Sequence, residues 1–126
     1  MAANPTFADA PVIGSAIIGN TANTNRDGTG TLYTLLTAAA SGNWLRNLYL
    51  KAQGTTTAGM IRLFLYDGVN YRFWKEVSVA AIVPSATVKT WEYTELIDES
   101  IPTGTVIKAS THNGEYFYGI ITGGSL

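Results

Sequence analysis

Residues Gly59 to Lys75 read G-M-I-R-L-F-L-Y-D-G-V-N-Y-R-F-W-K, and the fold class turns on this stretch. Two runs of β-branched, aromatic and aliphatic residues flank Asp67-Gly68-Val69-Asn70. Ile61, Leu63 and Leu65 recur at every second position on the way out, and Phe73 is expected to join them on the way back. A period of two places such residues on one face of a sheet. Asp and Gly at the reversal tolerate the positive φ that a tight hairpin needs. With Phe73 toward a core, Arg72, Trp74 and Glu76 are expected to point outward.

Downstream of this hairpin, Tyr71 to Ala80 continues as a strand and Pro84 breaks the chain in a small-residue connection. Ala86 to Leu96 alternates again, with Val88, Thr90, Glu92 and Thr94 on one face and Lys89, Trp91, Tyr93 and Glu95 on the other. Ile97 to Gly104 is read as a connection ending in a Pro-Thr-Gly turn. Val106 to Thr111 is a strand, and Asn113-Gly114 predicts a hairpin into a last strand over Glu115 to Thr122. Upstream, Leu45, Leu48 and Leu50 break strict alternation within Trp44 to Gln53. A short helix would fit that spacing, but Tyr49 and the G-T-T-T-A-G that follows favour a strand with a bulge near Arg46-Asn47. Thr31 to Thr37 is a further short strand, and Asn20 to Gly30, N-T-A-N-T-N-R-D-G-T-G, is a loop by composition. Pro11 to Gly19 is a first strand, placed at a sheet edge by Pro11 and Gly14.

The pattern amounts to about eight or nine short strands and no convincing helix, which predicts an all-β, antiparallel two-sheet sandwich of jelly-roll type. Residues 11–126 form a single domain in this reading. Met1 to Ala10 carries no periodicity and is expected to be a flexible or partner-bound arm.

Composition narrows the function classes. Charged residues make up only 13% of the 126, about half the usual share. So little charge implies a surface partly shielded by other chains, hence assembly. With a net charge of −1 and basic residues scattered from Arg26 to Lys108, there is no electrostatic footprint for nucleic acid. Cysteine is absent, so neither disulfides nor thiol-bound metal hold the fold. No apolar run has the length of a membrane helix, and the N-terminus lacks a signal-peptide pattern, so a soluble product made in a cytoplasm is expected.

Chemical constellations are thin. His112 is the lone histidine, and in T-H-N-G it reads as a turn residue rather than a catalytic base. Glu92 and Glu95, three apart on a strand, fall on opposite faces, which is wrong for a glycosidase pair. Asp67-Gly68-x-Asn70 and Asn25-Arg26-Asp27-Gly28 offer oxygen atoms but lack the ligand count of a calcium loop. The glycine-rich segments have no phosphate-binding lysine. No enzyme activity, cofactor or metal is therefore expected. The aromatic residues remain: on an exposed sheet face they serve protein interfaces or stack on sugar rings. The interface candidates are Pro5, Phe7, Arg72, Trp74, Trp91 and Tyr93, and a glycan platform would use Trp74 and Trp91.

Several strings carry a resemblance. A-N-T-N-R-D-G-T-G-T (Ala22 to Thr31), K-A-Q-G-T-T-T-A-G-M-I-R-L-F-L-Y-D-G (Lys51 to Gly68), P-S-A-T-V (Pro84 to Val88), L-I-D-E-S-I-P-T-G (Leu96 to Gly104) and K-A-S-T-H-N (Lys108 to Asn113) make the chain similar to small structural proteins of tailed bacteriophages and prophages. The resemblance spans most of the chain after the first ten residues and carries over no functional residue. It implies a virion component, best fitted by a capsid decoration (cement) protein. Such a protein binds the major capsid protein of a phage on the capsid surface, associates with itself as a trimer, and uses a terminal arm to reach a neighbour. The other reading is a tail, baseplate or fibre-associated module that binds host glycan.

Overall fold

The computed structural model describes residues 10–19 and 21–126, apart from the side chains of 10–12. The expected arm therefore lies outside the described residues, except for Ala10, which opens the first strand. Eight strands follow: β1 (Ala10–Ile18), β2 (Tyr33–Thr37), β3 (Asn43–Ala52), β4 (Gly59–Tyr66), β5 (Tyr71–Val79), β6 (Glu92–Ile101), β7 (Val106–Thr111) and β8 (Phe117–Ser125). They form two four-stranded antiparallel sheets, ordered β1-β8-β3-β6 and β2-β7-β4-β5. We call these the first and second sheet.

The pairings β4–β5, β7–β2, β3–β6 and β1–β8 are those of a chain folded in half at one reversal. That reversal is Asp67 to Asn70, as its composition predicts. Asp67 Oδ1 accepts hydrogen bonds from the backbone N–H of Val69 (2.8 Å) and Asn70 (2.7 Å), and Gly68 sits at φ 98°. These two bonds, Asn70 first, hold the Asp67 carboxyl below the usual carboxylate range. Wrapping the folded chain so that alternate pairs fall in opposite sheets makes the jelly roll. Among the strands described, β4 and β5 are the one consecutive pair that is hydrogen-bonded.

The wrap explains where the sequence reading fails. Asn113-Gly114 does not close a hairpin, because β7 belongs to the second sheet and β8 to the first. The turn carries the chain between layers instead. Likewise the strand expected from Ala86 begins only at Glu92, since the preceding residues cross from β5 to the other sheet, and it runs through Ile97 to Ile101 where a connection was expected. Trp44 to Gln53 forms a bulged strand, as its spacing predicts: β3 shifts register between Leu45 and Asn47 against both of its neighbours. On β6 the matching irregularity contains Asp98 at φ 51°, whose Oδ1 accepts the Trp44 indole N–H at 3.0 Å. β1 is an edge strand, as Pro11 requires.

Between the sheets, Ile18, Leu45, Leu48, Leu50, Phe117 and Ile121 of the first pack against Leu36, Ile61, Leu63, Val77 and Ile107 of the second. Phe73 does not join them. A bulge between Leu63 and Phe64 leaves Trp74 as the extra residue, so Phe73 pairs with Phe64 and faces out. Trp74 packs against the core in its place.

Candidate assembly interface

Each sheet has an outer face, and the two are finished differently. On the second sheet, the outward residues of β4 are Met60, Arg62, Phe64 and Tyr66, alternating with Ile61, Leu63 and Leu65 on the core side. Outward residues of a sandwich are ordinarily wet, yet Arg62 is 2% exposed and Phe64 is fully buried. Residues 21–32, joining β1 to β2, cover them. The segment bonds to β7 through Asn23, whose N–H donates to Thr111 C=O at 2.8 Å. It reaches β5 through Arg26, whose Nε donates to Glu76 Oε2 at 2.9 Å, and through Gly28, which lies against Tyr71.

Two features hold the covering segment in shape. The Asn23 amide donates to the carbonyls of Thr29 and Thr31 (2.9 Å each) and its Oδ1 accepts from Asn25 N–H, which closes the segment on itself. Gly28, at φ 88°, has no Cβ because one built there would sit 2.3 Å from Tyr71 Cβ. Under the segment, Arg62 Nε donates to the same Glu76 oxygen that receives Arg26, at 2.8 Å. Burial pulls the Glu76 carboxyl upward, but hydrogen bonds from Arg62 and Arg26 outweigh it and leave it below the ordinary range. His112 belongs to this group: its ring Nδ1 lies 3.4 Å from the Arg62 guanidinium, and its backbone N–H donates to Met60 C=O at 2.8 Å. A buried arginine with its carboxylate is a structural pin here.

The first sheet has no such cover among the described residues. Its registers align outward residues in three rows across four strands. One row is Ile17, Tyr118, Lys51 and Glu92; the next is Ser15, Ile120, Tyr49 and Thr94; the third is Ile13, Thr122, Asn47 and Leu96. Six of these are large and apolar or aromatic, exposed at Ile13 70%, Leu96 67%, Ile17 53%, Tyr118 44%, Tyr49 39% and Ile120 37%. Taking about 200 Å² for a large side chain, they present roughly 600 Å² of continuous surface, the top of the range for the largest patch on a monomer. Two shallow grooves cross the face, one beside Ser15 and Ile17, the other beside Tyr49 and Thr94, and both are walled by Tyr118 and Ile120.

The residues expected at an interface do not gather here. Pro5 and Phe7 lie outside the described residues. Arg72 is exposed on β5, 3.9 Å from Asp67. Trp74 is half-buried against the core with Lys75 Nζ 4.9 Å from its ring, so it does not stand outward as the alternation implied. Trp91 is a core residue, 7% exposed and edge-on to Phe117. Tyr93 is half-buried on the inner side, its hydroxyl donating to Glu95 at 2.7 Å, a bond that raises the phenol above its usual range. A glycan platform built on Trp74 and Trp91 loses both rings. Glu92 and Glu95 do face opposite ways, toward Lys89 and Lys75 respectively. The sequence does carry a signal for this exposed face. V-I-G-S-A-I-I in β1 and F-Y-G-I-I in β8 are apolar at both parities, as strands buried on two sides are.

No protein-family model and no curated protein matches the chain. Among solved structures, it is similar to a pentameric capsid protein isolated from metagenomic phage sequences, in two crystal structures. The first gives a TM-score of 0.48 at 12% identity, over 89% of this chain and 60% of that one. The second gives 0.47 at 10%, over 89% and 61%. A chain of the infectious bursal disease virus Gx strain gives 0.35 at 13%, over 93% and 33%. This chain thus spans about 60% of the length of the phage capsid protein it is similar to.

Proposed function

We propose that this chain is a non-enzymatic structural protein of a bacteriophage virion, a jelly-roll subunit that works by being built into an assembly. The observation that carries the reading is the bare outer face of the first sheet. Six large apolar or aromatic side chains in three aligned rows are far from the scattered hydrophobics of an ordinary monomer surface. A charged fraction of 13% points the same way, and the similarity of Lys51–Gly68 and Leu96–Gly104 to phage structural proteins gives the assembly its setting.

The finer form of the proposal is a decoration protein seated on the major capsid protein at the head surface. Its work would be mechanical: each Å² of apolar surface it buries on the shell contributes about 25 cal/mol against opening. Immunogold labelling of purified virions with an antibody to this chain tests the reading. Label over the head supports decoration, label at the tail tip moves the protein to host recognition, and bare particles overturn the virion reading.

A further inference from the structure

Resting on the assembly reading, we infer that the bare face of the first sheet binds the same face of a second copy of this chain about a twofold axis. The area fits. Roughly 600 Å² of apolar surface with its rim of Lys51, Glu92, Thr94 and Asn47 approaches the ~800 Å² per partner of a standard stable interface. The relief fits as well. Tyr118 and Ile120 of β8 stand as a ridge between two grooves, and a ridge flanked by grooves is complementary to its own twofold image.

Charge allows self-pairing. Within the three rows it is confined to one end row, where Lys51 lies beside Glu92, and beyond the opposite row it returns as one residue of each sign, the exposed Arg46 and Asp98 at the bulge. Two twisted sheets packed face to face ordinarily stand about 10 Å apart with strands crossing near 30°, a geometry open to two copies of this face. The symmetry follows from there being one such face among the described residues: a threefold ring needs two different, mutually complementary patches, whereas an isologous contact uses one patch twice. The self-association proposed here is thus a dimer, where the sequence reading expects a trimer.

The full chain is to be studied by sedimentation equilibrium in the micromolar range, beside Ile120→Lys and, as a control at the exposed hairpin tip, Val69→Lys. A wild-type dimer, a monomeric Ile120→Lys weakened at least tenfold in association, and a dimeric Val69→Lys are expected. The chain has no cysteine, which permits a second readout independent of the lysine variant's folding. Ile120→Cys is expected to be joined into a covalent dimer by a short bis-maleimide that spans the gap between facing sheets, and Val69→Cys to remain a monomer. A monomeric wild type, or a dimer that survives Ile120→Lys with no Ile120→Cys cross-link, overturns the inference. So does a dimer that forms only after removal of residues 2–9, since that would mean the chain's own N-terminal segment occupies the face. A monomer that still labels virions overturns the dimer alone and leaves the proposed function standing.

Discussion

The two outer faces are built alike and completed differently. Each presents large apolar side chains from the middle strands of a four-stranded sheet, Phe64 on one and Tyr118 and Ile120 on the other. On the second sheet the connection between β1 and β2 folds back across the strands and makes Phe64 and Arg62 part of the interior. On the first sheet nothing among the described residues does so. A sandwich covered on one outer side is in effect three layers thick there, and the opposite face is open among the described residues. The difference lies in one loop rather than in the strands.

That contrast can be broken by mutation. The largest effect is expected at the buried outward ring. Phe64→Ala should cost about 4 kcal/mol in denaturant unfolding, as a core truncation does, although the residue points away from the inter-sheet core. Next is the pin beneath the loop. Glu76→Gln leaves Arg62 buried without its carboxylate and, since Glu76 is itself reached by solvent, should cost about 2.5 kcal/mol at neutral pH. The sign with pH follows from the depressed carboxyl: its stabilisation is complete above the unfolded value of 4.5 and is lost as pH falls through the folded value. The gap between wild type and Glu76→Gln in pH-dependent melts should therefore close below pH 4.5. A gap that is constant with pH would remove the ion pair from the account.

A smaller effect is expected of the covering loop itself. Gly28→Ala meets both a positive φ and Tyr71, and should cost about 2 kcal/mol. Hydrogen exchange should show faster exchange across residues 21–32 while the first sheet is unchanged. The smallest is on the bare face. Ile13→Ser, at a position 70% exposed, should leave monomer unfolding within about 0.5 kcal/mol. If Ile13→Ser destabilised the monomer as Phe64→Ala does, the two faces would not differ in the way described.

Much of the architecture was legible from local pattern. Alternation located the strands, Asp67-Gly68 the central reversal, and the broken spacing of Leu45, Leu48 and Leu50 the bulge in β3. These features depend on neighbours within a few residues, where backbone preference and period are decided. Trp74 shows the limit. One extra residue in β5 exchanges the inner and outer parity for everything beyond it, and no residue in Y-R-F-W-K marks the bulge. Asn113-Gly114 is a sound turn signal, but a turn does not say whether the next strand stays in the same sheet.

The candidate face was harder to read for the same kind of reason. Its three rows draw on β1, β3, β6 and β8, from Ile13 to Thr122, and become one surface only through inter-strand register. By itself the sequence determined an all-β chain folded about Asp67 to Asn70, because period, turn chemistry and strand propensity act over short distances. Only the tertiary structure decided which faces are buried. Arg26 meets Glu76 fifty positions away, and the covering of one sheet rather than the other depends on where a loop without periodicity comes to rest.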